Sequence, residues 1–301
     1  MKSFHKYFIL LSIVFLVIAL YKADFLTVPE IHSKSDIALS FFFLFLGFAA
    51  DSFSWYMILK HSTYDVRFRV CLAGTGLSIF GKYIPGKIWM IVGRASYAAE
   101  HSPYQISKLS LVSLNAQFIT LWIGLVLGGA GLFIFNGFGF CSGGVLFLWG
   151  VLTVIIFSRI VHNTAEKLVR VILRRRVTFP ALRFVSTVSV MPWFALIWIF
   201  FSFGFYFLVR GLSLISVPYA VGLGFPLAGT LGIMAIIFPG GIGVREGIMM
   251  GYLTLFGIPL AEATAISIAA RLWFCLGELF IFSLGLAVHS SAKKIERNLC
   301  P

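Results

Sequence analysis

Two hydrophobic stretches of this chain are cut in the same way. Gly81-Lys82-Tyr83-Ile84-Pro85-Gly86-Lys87-Ile88-Trp89 interrupts the first, and Phe238-Pro239-Gly240-Gly241-Ile242-Gly243-Val244-Arg245-Glu246 the second. A Pro-Gly step does not continue a helix. Proline lacks the amide hydrogen and clashes with the preceding turn, and glycine lets the backbone reverse with positive φ. Each break also carries ionised side chains. Apolar segments broken at corresponding places of two halves point to a transport site near the bilayer midplane.

The surroundings of the breaks decide the solvent. The chain is 59% hydrophobic and 12% charged, against about 25% charged in soluble domains. Several apolar runs approach the roughly 20 residues that cross hydrocarbon as a helix. They do not alternate, which excludes a membrane β-barrel. The net charge of +13 sits mostly in short segments between apolar runs, as cytoplasmic loops require; no nucleic-acid-binding motif accompanies it. Cys71, Cys141, Cys275 and Cys300 are scattered, with neither metal nor disulfide spacing. The histidines lie near segment ends. No nucleophile–base set, phosphate loop, zinc motif or haem motif is present, so neither a metal nor a cofactor is expected.

The fold class read from this pattern is an all-α polytopic membrane protein of about 8 hydrophobic segments, forming one integral domain over 1–301. A first helix at about 7–22 follows Lys2, His5 and Lys6 and lacks a signal-peptidase site. Repeat one covers about 37–133: a helix, the first broken segment (about 70–100) and a long helix behind Pro103. Asn136-Gly137 and Ser142-Gly143-Gly144 read as an outer loop, followed by a helix at about 145–161. A basic connector at about 159–183 holds Arg174-Arg175-Arg176 and reads as an interfacial cytoplasmic anchor. Repeat two covers about 184–288, with its broken segment at about 214–258 and its long helix behind Pro259. Arg210 falls in an outer loop and violates the charge rule. Both termini are basic, which places them in the cytoplasm.

The first broken segment begins inside and the second outside. If each is a re-entrant hairpin, the halves are inverted copies whose tips (Pro85, Gly86; Pro239, Gly240, Gly241) face each other. The alternative is a pair of kinked spans.

Lys82, Lys87 and Arg94 flank the first break; Arg245 and Glu246 flank the second. The last long helix carries Thr264, Ser267, Arg271 and Glu278 on one face. Charges in apolar segments persist when they line water, pair together or meet a charged ligand. The cations outnumber the carboxylates, and lipid phosphate is the anion a membrane site meets most readily. Lys82, Lys87, Arg94, Arg245 and Arg271 are therefore the candidate phosphate-binding residues, with Glu246 and Glu278 as balancing cavity carboxylates. Competing roles are interfacial snorkelling for Lys82 and Lys87, and internal ion pairing for Arg245, Glu246, Arg271 and Glu278. Asp51 reads either as a proton-coupling carboxylate or as a partner of Lys60. Gly124-x-x-x-Gly128 is a helix-packing stripe.

The passages at 81–89 and 239–246 resemble the lysylphosphatidylglycerol synthase transmembrane-region family, which includes the flippase half of MprF and stand-alone flippase-like proteins. The resemblance implies an inner-membrane protein with paired re-entrant segments that moves lipids between leaflets. The soluble aminoacyl-transferase domain of the full synthases has no counterpart here, so lysyl transfer is not implied. The expected function is translocation of a phosphate-bearing lipid, either a phospholipid or a polyisoprenoid-linked sugar. Two other readings stay open. One is a polyprenyl-phosphate glycosyltransferase using Asp24, Glu30 or Asp36 in the acidic first outer loop. The other is an accessory subunit of a neighbouring glycosyltransferase or synthase.

Overall fold

A computed structural model describes residues 30–84, 88–158, 184–235, 241 and 243–299. Its described elements are all helical. They are α1 (Lys34–His61), α2 (Phe68–Ser78), α3 (Trp89–Glu100), α4 (Ile106–Asn136), α5 (Phe140–Phe157), α6 (Phe184–Leu212), α7 (Gly224–Met234), α8 (Val244–Thr254) and α9 (Leu260–Leu299). Short 3-10 turns at Ile79–Tyr83 and Tyr219–Leu223 adjoin α2 and α7.

Helices α1, α4, α5, α6 and α9 are each long and apolar enough to cross a membrane. The arms α2, α3, α7 and α8 have only 11 or 12 residues. At 1.5 Å per residue they reach roughly 16–18 Å, about half of the ~30 Å hydrocarbon layer. The segment at 7–22 and the connector at 159–183 lie outside the described residues.

The arms decide between hairpin and kinked span. Gly74 in the middle of α2 faces α3, where an added Cβ would stand 3.3 Å from the Arg94 carbonyl oxygen. Gly224 at the start of α7 packs on Tyr252 near the end of α8, and Gly232 near the end of α7 packs on Arg245 at the start of α8. The Tyr252 hydroxyl donates to the Ala220 carbonyl at 3.0 Å. Arms that lie side by side and run in opposite directions are hairpins. A kinked span would set them end to end.

Helices α1 and α6 form the central pair, and each hairpin's second arm lies on its own long helix, α3 on α4 and α8 on α9. Each first arm crosses to the other half, α2 to α9 and α7 to α4. Small residues permit both crossings. Gly76 of α2 meets Gly285 of α9, and Gly128 of α4 meets Leu227 of α7, so closely that a side chain would collide with backbone. Close van der Waals approach is the main source of helix association in lipid.

Two features differ from the sequence reading. Ser142-Gly143-Gly144 is helical, because α5 begins at Phe140. The connection shrinks to Gly137–Gly139, with Gly137 at φ +66 and the Ser142 hydroxyl donating to the Gly137 carbonyl at 2.7 Å. Glycine in a helix costs about 1 kcal/mol, less than leaving backbone groups unbonded in an apolar layer. Arg210 lies within α6 and is not an isolated loop cation. It grips Asp36 of α1 with two nitrogens, at 2.7 and 2.9 Å, so this end of the central pair is locally neutral.

Candidate functional site

Described residues that flank the two breaks converge on one stretch of α9. Lys82, in the 3-10 turn that ends the first arm, pairs with Glu278 of α9. The neighbouring Tyr83 hydroxyl donates to the other Glu278 oxygen at 2.8 Å and lies 3.7 Å from Cys275 Sγ. Glu278 is fully buried, so both of its oxygens depend on these partners.

From the second hairpin come Arg245 and Glu246, in the first turn of α8. Gly241 and Gly243 precede them at φ +71 and +82, a region that side chains rarely adopt. The Gly243 amide donates to Glu246 Oε2 at 2.7 Å, which caps the helix. The other oxygen, Oε1, lies 3.8 Å from Arg271 Nη1, an ion contact too long for a hydrogen bond.

Arg245 takes a different position. It is 7% exposed, and its guanidinium carbon sits 4.5 Å from the Phe225 ring centre and 4.4 Å from that of Phe274. Among the described residues its Nη2 has no hydrogen-bond partner. The Lys82 ammonium lies 4.6 Å from the same Phe274 ring, and Arg271 lies 5.5 Å from that of Tyr83. Three cations thus share aromatic walls with two carboxylates. One face stays accessible, since the Lys82 side chain is 23% exposed.

The other candidate residues have different surroundings. Arg94 is buried and makes no ion pair with Glu246 or Glu278. Its Nε donates to Ser113 Oγ at 3.1 Å, its Nη2 to the Ser113 carbonyl at 2.9 Å, and its carbon lies 5.1 Å from the Trp55 ring. Asp51 feels Arg94 and Lys82 electrostatically rather than Lys60. The Thr264 and Ser267 hydroxyls bond back to carbonyls of their own helix. Lys87, Pro85, Gly86, Pro239 and Gly240 lie outside the described residues; Gly241 packs on the backbone of Gly232. Asp36, a carboxylate considered for glycosyl transfer, is committed to Arg210.

Sequence reasoning passed over Tyr83, Phe225, Phe274 and Trp55 as partners of the charged groups. Tyr83 stood inside a quoted motif. The two phenylalanines were hidden among 33. The described residues hold no group of three metal-ligating side chains.

These features define a multi-pass helical membrane protein with a largely buried ionised cluster where the two hairpins meet α9. The chain matches the lysylphosphatidylglycerol synthase transmembrane region over residues 7–275 and belongs to that family. Membership ties it to membrane lipids. No curated protein and no solved structure matches it.

Proposed function

We propose that this protein is a lipid translocator of the inner membrane and that the central cluster receives the lipid's phosphate. The observation that carries the reading is Arg245. Lys82 has Glu278 and Arg271 has Glu246, while a third cation stands between aromatic rings with an unsatisfied donor. A buried guanidinium nitrogen left without a hydrogen-bond partner costs free energy even with carboxylates nearby. An incoming phosphate would remove that cost and gain a charge-assisted hydrogen bond. The aromatic walls add attraction for the cations without neutralising them.

The two ion pairs also suggest how access switches. Glu278 fastens the first tip to α9, and Arg271 fastens the second. A phosphate at Arg245 competes with Glu278 for Lys82 and with Glu246 for Arg271. Loosening the tips lets one hairpin rock against the other, while the lipid tails stay in the bilayer through a lateral opening. In this reading the hairpins are re-entrant, the halves are inverted copies, and the basic end formed by Lys60, Arg67, Arg69 and the last turns of α9 faces the cytoplasm. Chemistry on the headgroup is not required, and a neighbouring synthase or glycosyltransferase would supply or consume the lipid.

The test is Arg245→Gln in proteoliposomes, read by the rate at which a labelled phospholipid headgroup becomes accessible to a membrane-impermeant reagent. The variant is expected to fold and to lose transport. Transport at the wild-type rate would defeat the reading.

A further inference from the structure

A cavity of about 380 Å³ opens between the first turn of α2, the end of α3 and the C-terminal part of α9. Arg69, Tyr97, His101, Val288 and Ser291 line it. Tyr97, only 5% exposed, organises the site. Its ring stacks on His101, with centres 4.3 Å apart, and meets His289 edge-on at 5.6 Å. The Tyr97 hydroxyl and His289 Nδ1 are 2.8 Å apart. His101 Nδ1 donates to the Tyr97 carbonyl at 2.8 Å. That bond places the proton of a neutral His101 on Nδ1, so Nε2 accepts in the neutral ring and donates only in the protonated one.

Charge at this end favours an anion. Arg69 is exposed and makes no ion pair among the described residues. Neither described carboxylate nearby in sequence, Asp65 or Glu100, lines the cavity. Lys60, His61 and Arg67 end or begin the adjoining helices, and Lys293, Lys294 and Arg297 follow Ser291 along α9. The Arg69 guanidinium fork matches phosphate oxygens, and a protonated His101 adds an Nε2–H donor beside it; the Ser291 hydroxyl is taken by the Ala287 carbonyl and the Tyr97 hydroxyl by His289. Ten residues of α9 separate Val288 from Glu278, about 15 Å of helix at 1.5 Å per residue, so the cavity is distinct from the central cluster.

We propose that this cavity is a second phosphate-binding site, in which Arg69 and His101 hold the phosphate of a lipid headgroup or of a free phosphate at the basic face. It stands whether or not the central cluster carries lipid.

The experiment measures retention of phosphatidylglycerol by the full chain, using native mass spectrometry after extraction from vesicles of phosphatidylcholine with increasing phosphatidylglycerol. Inorganic phosphate is titrated in a parallel arm. Two variants are compared with wild type: Arg69→Gln with His101→Gln, which removes the lining donors, and Val288→Trp, which fills the cavity and leaves charge unchanged. Arg245→Gln is carried alongside to report the central cluster. Both cavity variants are expected to weaken one class of binding at least fivefold, and Arg245→Gln is expected to leave that class intact. Loss of phosphatidylglycerol binding supports a lipid source, and loss confined to inorganic phosphate supports a soluble one. Wild-type binding of both ligands by both cavity variants would overturn the proposal, as would a loss produced equally by Arg245→Gln.

Discussion

Arg94 and Arg245 look alike in the sequence. Each lies a few residues beyond a Pro-Gly break, in an apolar segment, on the second arm of a hairpin. Both are buried, at 3% and 7% exposure, and both stack on aromatic rings. The difference is in their nitrogens. Arg94 donates to Ser113 twice and so ties α3 to α4. Arg245 has rings on both sides and an unsatisfied Nη2. Burial of a charge therefore does not identify a binding residue. The number of donors still unbonded after folding separates a structural arginine from one that awaits a ligand.

The comparison can be broken by exchanging what is removed. Arg245→Gln should give the largest functional effect, a drop in transport of at least tenfold, with thermal stability unchanged or raised, because it removes a buried cation whose Nη2 has no hydrogen-bond partner. A melting curve and a transport rate on the same preparation check both halves of that statement. Arg94→Ala should act in the opposite sense. It leaves the Ser113 acceptors unsatisfied, removes the contact with Trp55 and lowers stability by about 3 kcal/mol. Its remaining transport should scale with the folded fraction measured by denaturation; a full loss from well-folded protein would place Arg94 in the site after all.

Two smaller effects sharpen the contrast. Gly241→Ala forces a side chain into positive φ and towards the Gly232 backbone. It should cost about 1–2 kcal/mol and slow transport by displacing Arg245, while leaving any effect of Arg94→Ala additive in a double variant. Asp36→Asn removes one charge from the grip on Arg210 at the far end of the central pair. It should lower the melting temperature less than Arg94→Ala or Gly241→Ala does and leave transport unchanged. If Asp36→Asn abolishes activity instead, the carboxylate has a chemical role and the translocator reading fails.

Much of the architecture was legible along the chain because it depends on local physics. Pro85-Gly86 and Pro239-Gly240-Gly241 mark the places where helices stop, and the arms end and begin on either side of them. Long apolar runs mark α1, α4, α6 and α9 to within a few residues, except where α9 continues into its polar end. The loop expected at Ser142-Gly143-Gly144 became helix because the environment outweighed glycine's intrinsic preference. The charged residues were also legible as a set. Their partners were not: Lys82 meets Glu278 across 196 residues of chain, and Arg210 meets Asp36 across 174.

By itself, the order of residues determined a lipid-soluble, all-helical chain with two broken segments and more cations than carboxylates. Hydropathy, proline chemistry and charge number need no knowledge of what lies nearby in space. The tertiary structure alone decided that the breaks are hairpins, that each first arm crosses to the other half, and that Arg245 keeps an unsatisfied nitrogen where Arg94 does not. Hydrogen bonds and ion pairs form over a few ångströms between helices far apart in the chain, and only packing sets those distances.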